Sequence, residues 1–148
     1  MNTVFDDTTR AGLIARIETL TGDENARWGK MNVSQMLEHS IRWEEITAGQ
    51  IKIKRAWIGY LFGKAALKSL TGDEKPLNQS TPTLKELIVE ETTGDIETQK
   101  QKWTDLLKAY QNTSAEYFMH PFFGKMTREQ TGILSYKHTD HHLRQFGR

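Results

Sequence analysis

The stretch TREQTGILSYKHTDHHLRQF, Thr127 to Phe146, decides the fold. Thr127 is a good helix cap, and Gln130 stands three residues on, as in a capping box. Ile133, Tyr136 and Leu143, with Phe146 on their edge, fall on one side of the helix that follows. At 100° per residue, His138 and His142 lie about 40° apart, and His141 about 60° to the other side of His138. The histidines therefore face roughly away from the apolar stripe. The helix has two faces to bury, one against neighbours and one toward a polar cavity.

Upstream stretches repeat the helical reading. Leu13, Ile14, Ile17 and Leu20 space a helix from about Asp7 or Thr8 to Leu20, ended by Thr21-Gly22. Asn32, with Gln35 three residues on, opens a second helix that runs to about Ala48. A third covers Ala56 to Leu70, and a fourth Asp95 to Tyr110. Asn78 to Thr83 reads as loop. Leu84 to Val89 reads as a short strand or an extended segment. These helices, with almost no strand signal, predict an all-α protein, a four-helix bundle with a short extra helix or extended segment in the middle. The 148 residues suit a single domain over 1–148.

Composition narrows the function. With 20 Lys+Arg against 19 Asp+Glu the net charge is +1, which argues against a nucleic-acid binder. Cysteine is absent, so a disulfide scaffold, a thiolate metal site and a Cys nucleophile are excluded. The polar, acidic start MNTVFDDTTR does not read as a signal peptide, and no apolar run approaches the ~20 residues of a membrane helix. The expectation is a cytoplasmic protein without a membrane partner.

Five histidines are present, His39, His120, His138, His141 and His142. A pair at i and i+4 can reach one metal ion, or can belong to a solvated polar face. His39 adds weight to the metal. It shares a mostly apolar stripe with Gln35, Met36, Trp43 and Ile46, so it faces the core. A buried imidazole without a partner costs about 1–3 kcal/mol. A metal shared with His138 and His142 would supply the partner, and three His ligands leave an open position. His141, His120, Gln35 and Gln145 are candidates for further roles at such a site. Two have a structural alternative, a partly exposed neighbour of the cavity for His141 and a loop anchor before Pro121 for His120, while Gln35 and Gln145 share stripes with the ligands and could hydrogen-bond a substrate or metal-bound water. Asp140 points away from the histidines, toward solvent or an ion-pair partner.

Two segments, WGKMNVSQMLEHS (Trp28 to Ser40) and HPFFGKMTREQTGILSYKHTDHHLRQFG (His120 to Gly147), resemble the DinB/YfiT-like metalloenzyme superfamily. The resemblance runs from about Arg27 to Gly147 and is loose between Gly49 and Tyr110. It implies a divalent metal, zinc or nickel, on His39, His138 and His142. The family's closing pattern, H-x-x-H-H-R-G-Q, stands here as His138-Thr139-Asp140-His141-His142-Leu143-Arg144-Gln145, with the histidine spacing kept and the Arg-Gly altered to Leu-Arg. Relatives of this kind imply transfer of a low-molecular-weight thiol to a small electrophile, or hydrolysis of a small substrate, with a homodimer as a common state. The alternative is a non-catalytic bundle that binds a ligand or partner, its metal site empty or structural. The basic run Lys52 to Lys68 reads as a solvated face, or as one that meets an acidic cosubstrate or an anionic surface. Trp57, Tyr60, Leu61 and Phe62 are expected inside the bundle, and the acidic Glu86 to Glu97 region outside it.

Overall fold

A computed structural model of the chain describes residues 1–148 except Ser80, Pro82, Thr92 and Thr93. Five α-helices stand among the described residues: α1 (Asp7–Glu18), α2 (Val33–Thr47), α3 (Trp57–Thr71), α4 (Ile96–Ala109) and α5 (Arg128–Gln145). Local chemistry sets their starts. Asp6 and Asp95 cap α1 and α4 by accepting from the Thr9 and Thr98 amides at 2.7 and 2.9 Å. Both expected capping boxes form, Asn32 with Gln35 on α2 and Thr127 with Gln130 on α5.

The chain is not all-α. Strands β1 (Tyr117–His120) and β2 (Gly124–Thr127) pair antiparallel, Phe118 opposite Met126 and His120 opposite Gly124. The fold is therefore mixed, five helices and one hairpin. Its cause is the turn Pro121-Phe122-Phe123-Gly124. Proline has no amide to donate, and Gly124 takes φ +74°, which a side chain would resist. His120 Nδ1 accepts the Phe122 and Phe123 amides at 3.1 and 3.3 Å and closes the turn. The stretch read as short strand or extended segment is a 3₁₀ turn, Lys85–Leu87, between extended residues Leu84 and Ile88. The loop expected over 78–83 includes Ser80 and Pro82, which lie outside the described residues.

Two apolar clusters form the core. One joins α1, α2, α4 and the end of α5 through Leu13, Ile17, Met36, Leu37, Trp103, Leu107 and Leu143. The other joins α2, α3, α5 and the hairpin through Trp43, Leu67, Phe123, Met126 and Leu134. Along α2, His39 falls between Met36 and Trp43. Along α5, His138 falls between Leu134 and Leu143. The histidines thus sit where the two clusters meet.

α3 corrects the expectation that its large apolar residues are buried. Trp57, Tyr60, Leu61 and Phe62 are 58–75% exposed. Gly59 and Gly63 face inward instead, against the hairpin, and a Cβ at either would collide with the Phe122 carbonyl oxygen. With the helix backbone pressed onto the turn through two glycines, the bulky neighbours have no inward position left.

Candidate metal centre

The structure brings together the three histidines the sequence singles out. One ring nitrogen from each of His39, His138 and His142 lies within 4.8 Å of the others, and all three residues are buried. The Nε2 atoms of His39 and His138 are 3.1 Å apart. The ring centroids of His142 lie 4.7 Å from His39 and 4.6 Å from His138.

Hydrogen bonds fix two of the tautomers. His39 Nδ1 meets the Leu87 carbonyl at 2.9 Å. A carbonyl only accepts, so Nδ1 carries the proton and Nε2 is left with its lone pair. The same logic reaches His142 through Gln145. Gln145 Nε2 donates to the Trp28 carbonyl at 2.7 Å, so its Oε1 is free to accept. His142 Nδ1 donates to that oxygen at 2.9 Å, which again leaves Nε2 bare. Metal-ligating histidines are commonly oriented this way, by an acceptor behind the ring. His138 is held by packing, its ring stacked on Trp43 at 4.2 Å and 13°. Its Nδ1 finds no partner among the described residues.

Burial keeps these rings neutral. It pushes His138 well below the ordinary histidine range, and the nearby imidazoles add to the shift. It lowers His142 to about 3, and it lowers His39 against the opposing pull of the Leu87 carbonyl. Neutral imidazoles with oriented lone pairs are what a metal requires of histidine. Nitrogens ~2.0–2.1 Å from a tetrahedral ion stand roughly 3.4 Å apart, close to the 3.1 Å between the His39 and His138 Nε2 atoms. The donor set fits a metal ion.

The cluster opens into a cavity of about 330 Å³. Trp28, Lys30, Met31, Trp43, Leu77 and Phe123 line it with the histidines, and Lys30 is its one charged residue among those described. His141 also lines it, edge-on to Trp28 at 5.5 Å, with Nδ1 unpartnered and its pKa lowered by burial. Gln145 reaches the cavity but spends its amide on His142 and Trp28. Gln35 lies away from it. Its oxygen accepts the Asn32 amide, and its nitrogen donates to the Val89 and Glu90 carbonyls. His120 lies behind Trp43, at 4.8 Å between rings, as the anchor of the hairpin turn. Burial lowers it to about 4. Asp140 is mostly covered and pairs with Arg16 and Arg144, both at 2.8 Å.

One feature escaped the sequence. Glu44 is buried on α2, and the Tyr110 hydroxyl donates to its Oε2 at 2.6 Å, with Ser135 Oγ 2.9 Å from that hydroxyl. Burial raises Glu44 to about 8. The signal was present: Glu44 continues the Leu37–Ile41 spacing, an acid on an apolar stripe. Glu44 and Tyr110 border a separate cavity of about 420 Å³ that contains none of the histidines.

A helical protein with a short hairpin and a buried three-histidine group able to hold a metal ion is the class this geometry defines. The chain belongs to the family described as "Protein of unknown function (DUF1569)", whose model matches residues 4–148. Comparison with curated proteins and with solved structures finds no match.

Proposed function

We propose that the chain is a metal-dependent enzyme of the DinB/YfiT-like kind, which holds zinc or nickel on His39, His138 and His142. Its reaction is the transfer of a low-molecular-weight thiol to a small electrophile, or the hydrolysis of a small substrate. One observation carries the reading: three buried imidazoles, two with fixed tautomers, converge beside a cavity of about 330 Å³ that they help to line. A structural site would be closed, whereas a catalytic one keeps a position for substrate.

The bound ion would supply Lewis acidity, which lowers the pKa of a thiol or a water. The chain's own residues supply the rest. Leu87 and Gln145 hold His39 and His142 in the ligating tautomer. Trp43 fixes the plane of His138. Trp28, Met31 and Phe123 exclude water from the cavity wall, and Lys30 offers a cation to an acidic substrate or cosubstrate. The absence of cysteine suits this chemistry, because the thiol would come from outside the chain.

The test is a panel of low-molecular-weight thiols with electrophiles, and of small esters and amides, run on zinc- and nickel-loaded protein and on His138→Ala. The expected result is metal-dependent turnover by wild type that the variant lacks. A metal-loaded wild type that binds small ligands and turns over none would move the reading to the non-catalytic binding protein.

A further inference from the structure

The exposed start of α3 is a feature that the metal centre leaves unused. Trp57 is 75% exposed, Leu61 67%, Tyr60 65%, Phe62 58% and Ile58 43%, all within the helix's first six residues. At 100° per residue these side chains fan over an arc of about 200°, and Gly59 and Gly63 fill the inward remainder.

Charge surrounds it. Lys52, Lys54, Arg55, Lys64 and Lys68 lie between Glu45 and Asp73 with no acid among them, while the whole chain is only +1. Among the described residues none of these five cations pairs with a carboxylate. Two of them are engaged within the protein: the Arg55 guanidinium sits 3.9 Å over the Tyr60 ring and donates to the Gly59 carbonyl at 3.4 Å, and Lys64 Nζ donates to the Lys125 carbonyl.

We infer that α3 docks the protein on an anionic lipid surface, with the Trp57–Phe62 crown in the acyl boundary and Lys52, Lys54 and Lys68 among the headgroups. Apolar and aromatic residues beside Lys and Arg are the composition of a helix that lies in a membrane interface. Tryptophan and tyrosine suit that depth because each has an apolar body and a polar tip. No helix among the described residues is long and apolar enough to cross a membrane. A second copy is the poorer occupant. A two-fold interface through α3 would set the basic collar of one protomer against that of the other. An anionic surface meets the apolar crown and the collar together.

The experiment is sedimentation of the full chain with vesicles of phosphatidylcholine alone and of equal parts phosphatidylcholine and phosphatidylglycerol. The expected result is binding to the anionic vesicles at least about tenfold stronger than to the neutral ones, weakening as salt rises. Tryptophan emission should shift to the blue on binding in wild type and not in Trp57→Phe. Leu61→Glu changes an exposed position, so its fold should persist by circular dichroism, and its binding should fall about tenfold or more. Lys52→Glu with Lys54→Glu should fall similarly. Failure to bind anionic vesicles, equal binding to neutral ones, or unchanged binding by Leu61→Glu would each overturn the inference. So would analytical ultracentrifugation that finds a dimer dissociated by Leu61→Glu, which would assign the crown to a second copy.

Discussion

Glu44 gives the fold a pH dependence that a single substitution can expose. Its carboxyl is buried, and its pKa rises from the ordinary 4.5 to about 8 because burial disfavours the charged form. Between those values the folded chain holds a proton at this site that the unfolded chain has released. Stability therefore falls as pH rises through this window, by about 1.4 kcal/mol per unit, up to about 5 kcal/mol in all above a pH of about 8. Glu44→Gln removes the titration while keeping an oxygen for the Tyr110 hydroxyl to donate to. It also puts an amide N–H₂ where Oε1 has no partner, a constant cost of about 1–3 kcal/mol. The variant should be the less stable protein near pH 5 and the more stable one above about pH 8. The assay is urea unfolding of both proteins from about pH 5 to about pH 9, with chelator present. Other groups titrate alike in the two proteins and cancel in the difference. A difference that stays flat across this range would refute the reasoning, because Glu44 would then titrate near its ordinary value.

Two further outcomes follow from the same contacts. Gln145→Leu removes the acceptor behind His142 Nδ1 and should weaken zinc binding about 10–100-fold, read by competition with a chromogenic chelator. Unchanged affinity would mean that Gln145 does not orient the ring. Gly63→Ala drives a methyl into the Phe122 carbonyl and should destabilise the fold by about 1–3 kcal/mol in urea unfolding. Wild-type stability would mean that α3 does not press its backbone on the hairpin.

The parts of this molecule that local rules govern were legible in the sequence. The Asn32–Gln35 and Thr127–Gln130 capping boxes are contacts over three residues, and both form. The inward position of His39 followed from its apolar neighbours on α2, and its meeting with His138 and His142 from the i,i+4 spacing on α5. What depends on distant contacts was not legible. Each strand of the hairpin has four residues, too few for an alternation to register, and Pro121 interrupts the run. The burial expected of Trp57, Tyr60, Leu61 and Phe62 failed because hydrophobicity says that a residue prefers cover, not that a neighbour supplies it. Gly59 and Gly63 chose the packed face of α3 by being small. The burial of Glu44 has a local sign in its place on the Leu37–Ile41 stripe, but its Tyr110 partner stands 66 residues away and leaves none. The Gln35 amide, shared among three backbone groups, shows how a residue on a ligand's stripe can belong to the scaffold.

The central claim is that His39, His138 and His142 hold one metal ion. The most direct measurement is the metal content of protein purified without a histidine tag, for wild type and His138→Ala, by elemental analysis. The account predicts about one equivalent of zinc or nickel per wild-type chain and its loss in the variant. A wild type that stays free of metal after incubation with excess zinc and nickel, or a variant that retains the full equivalent, would contradict it.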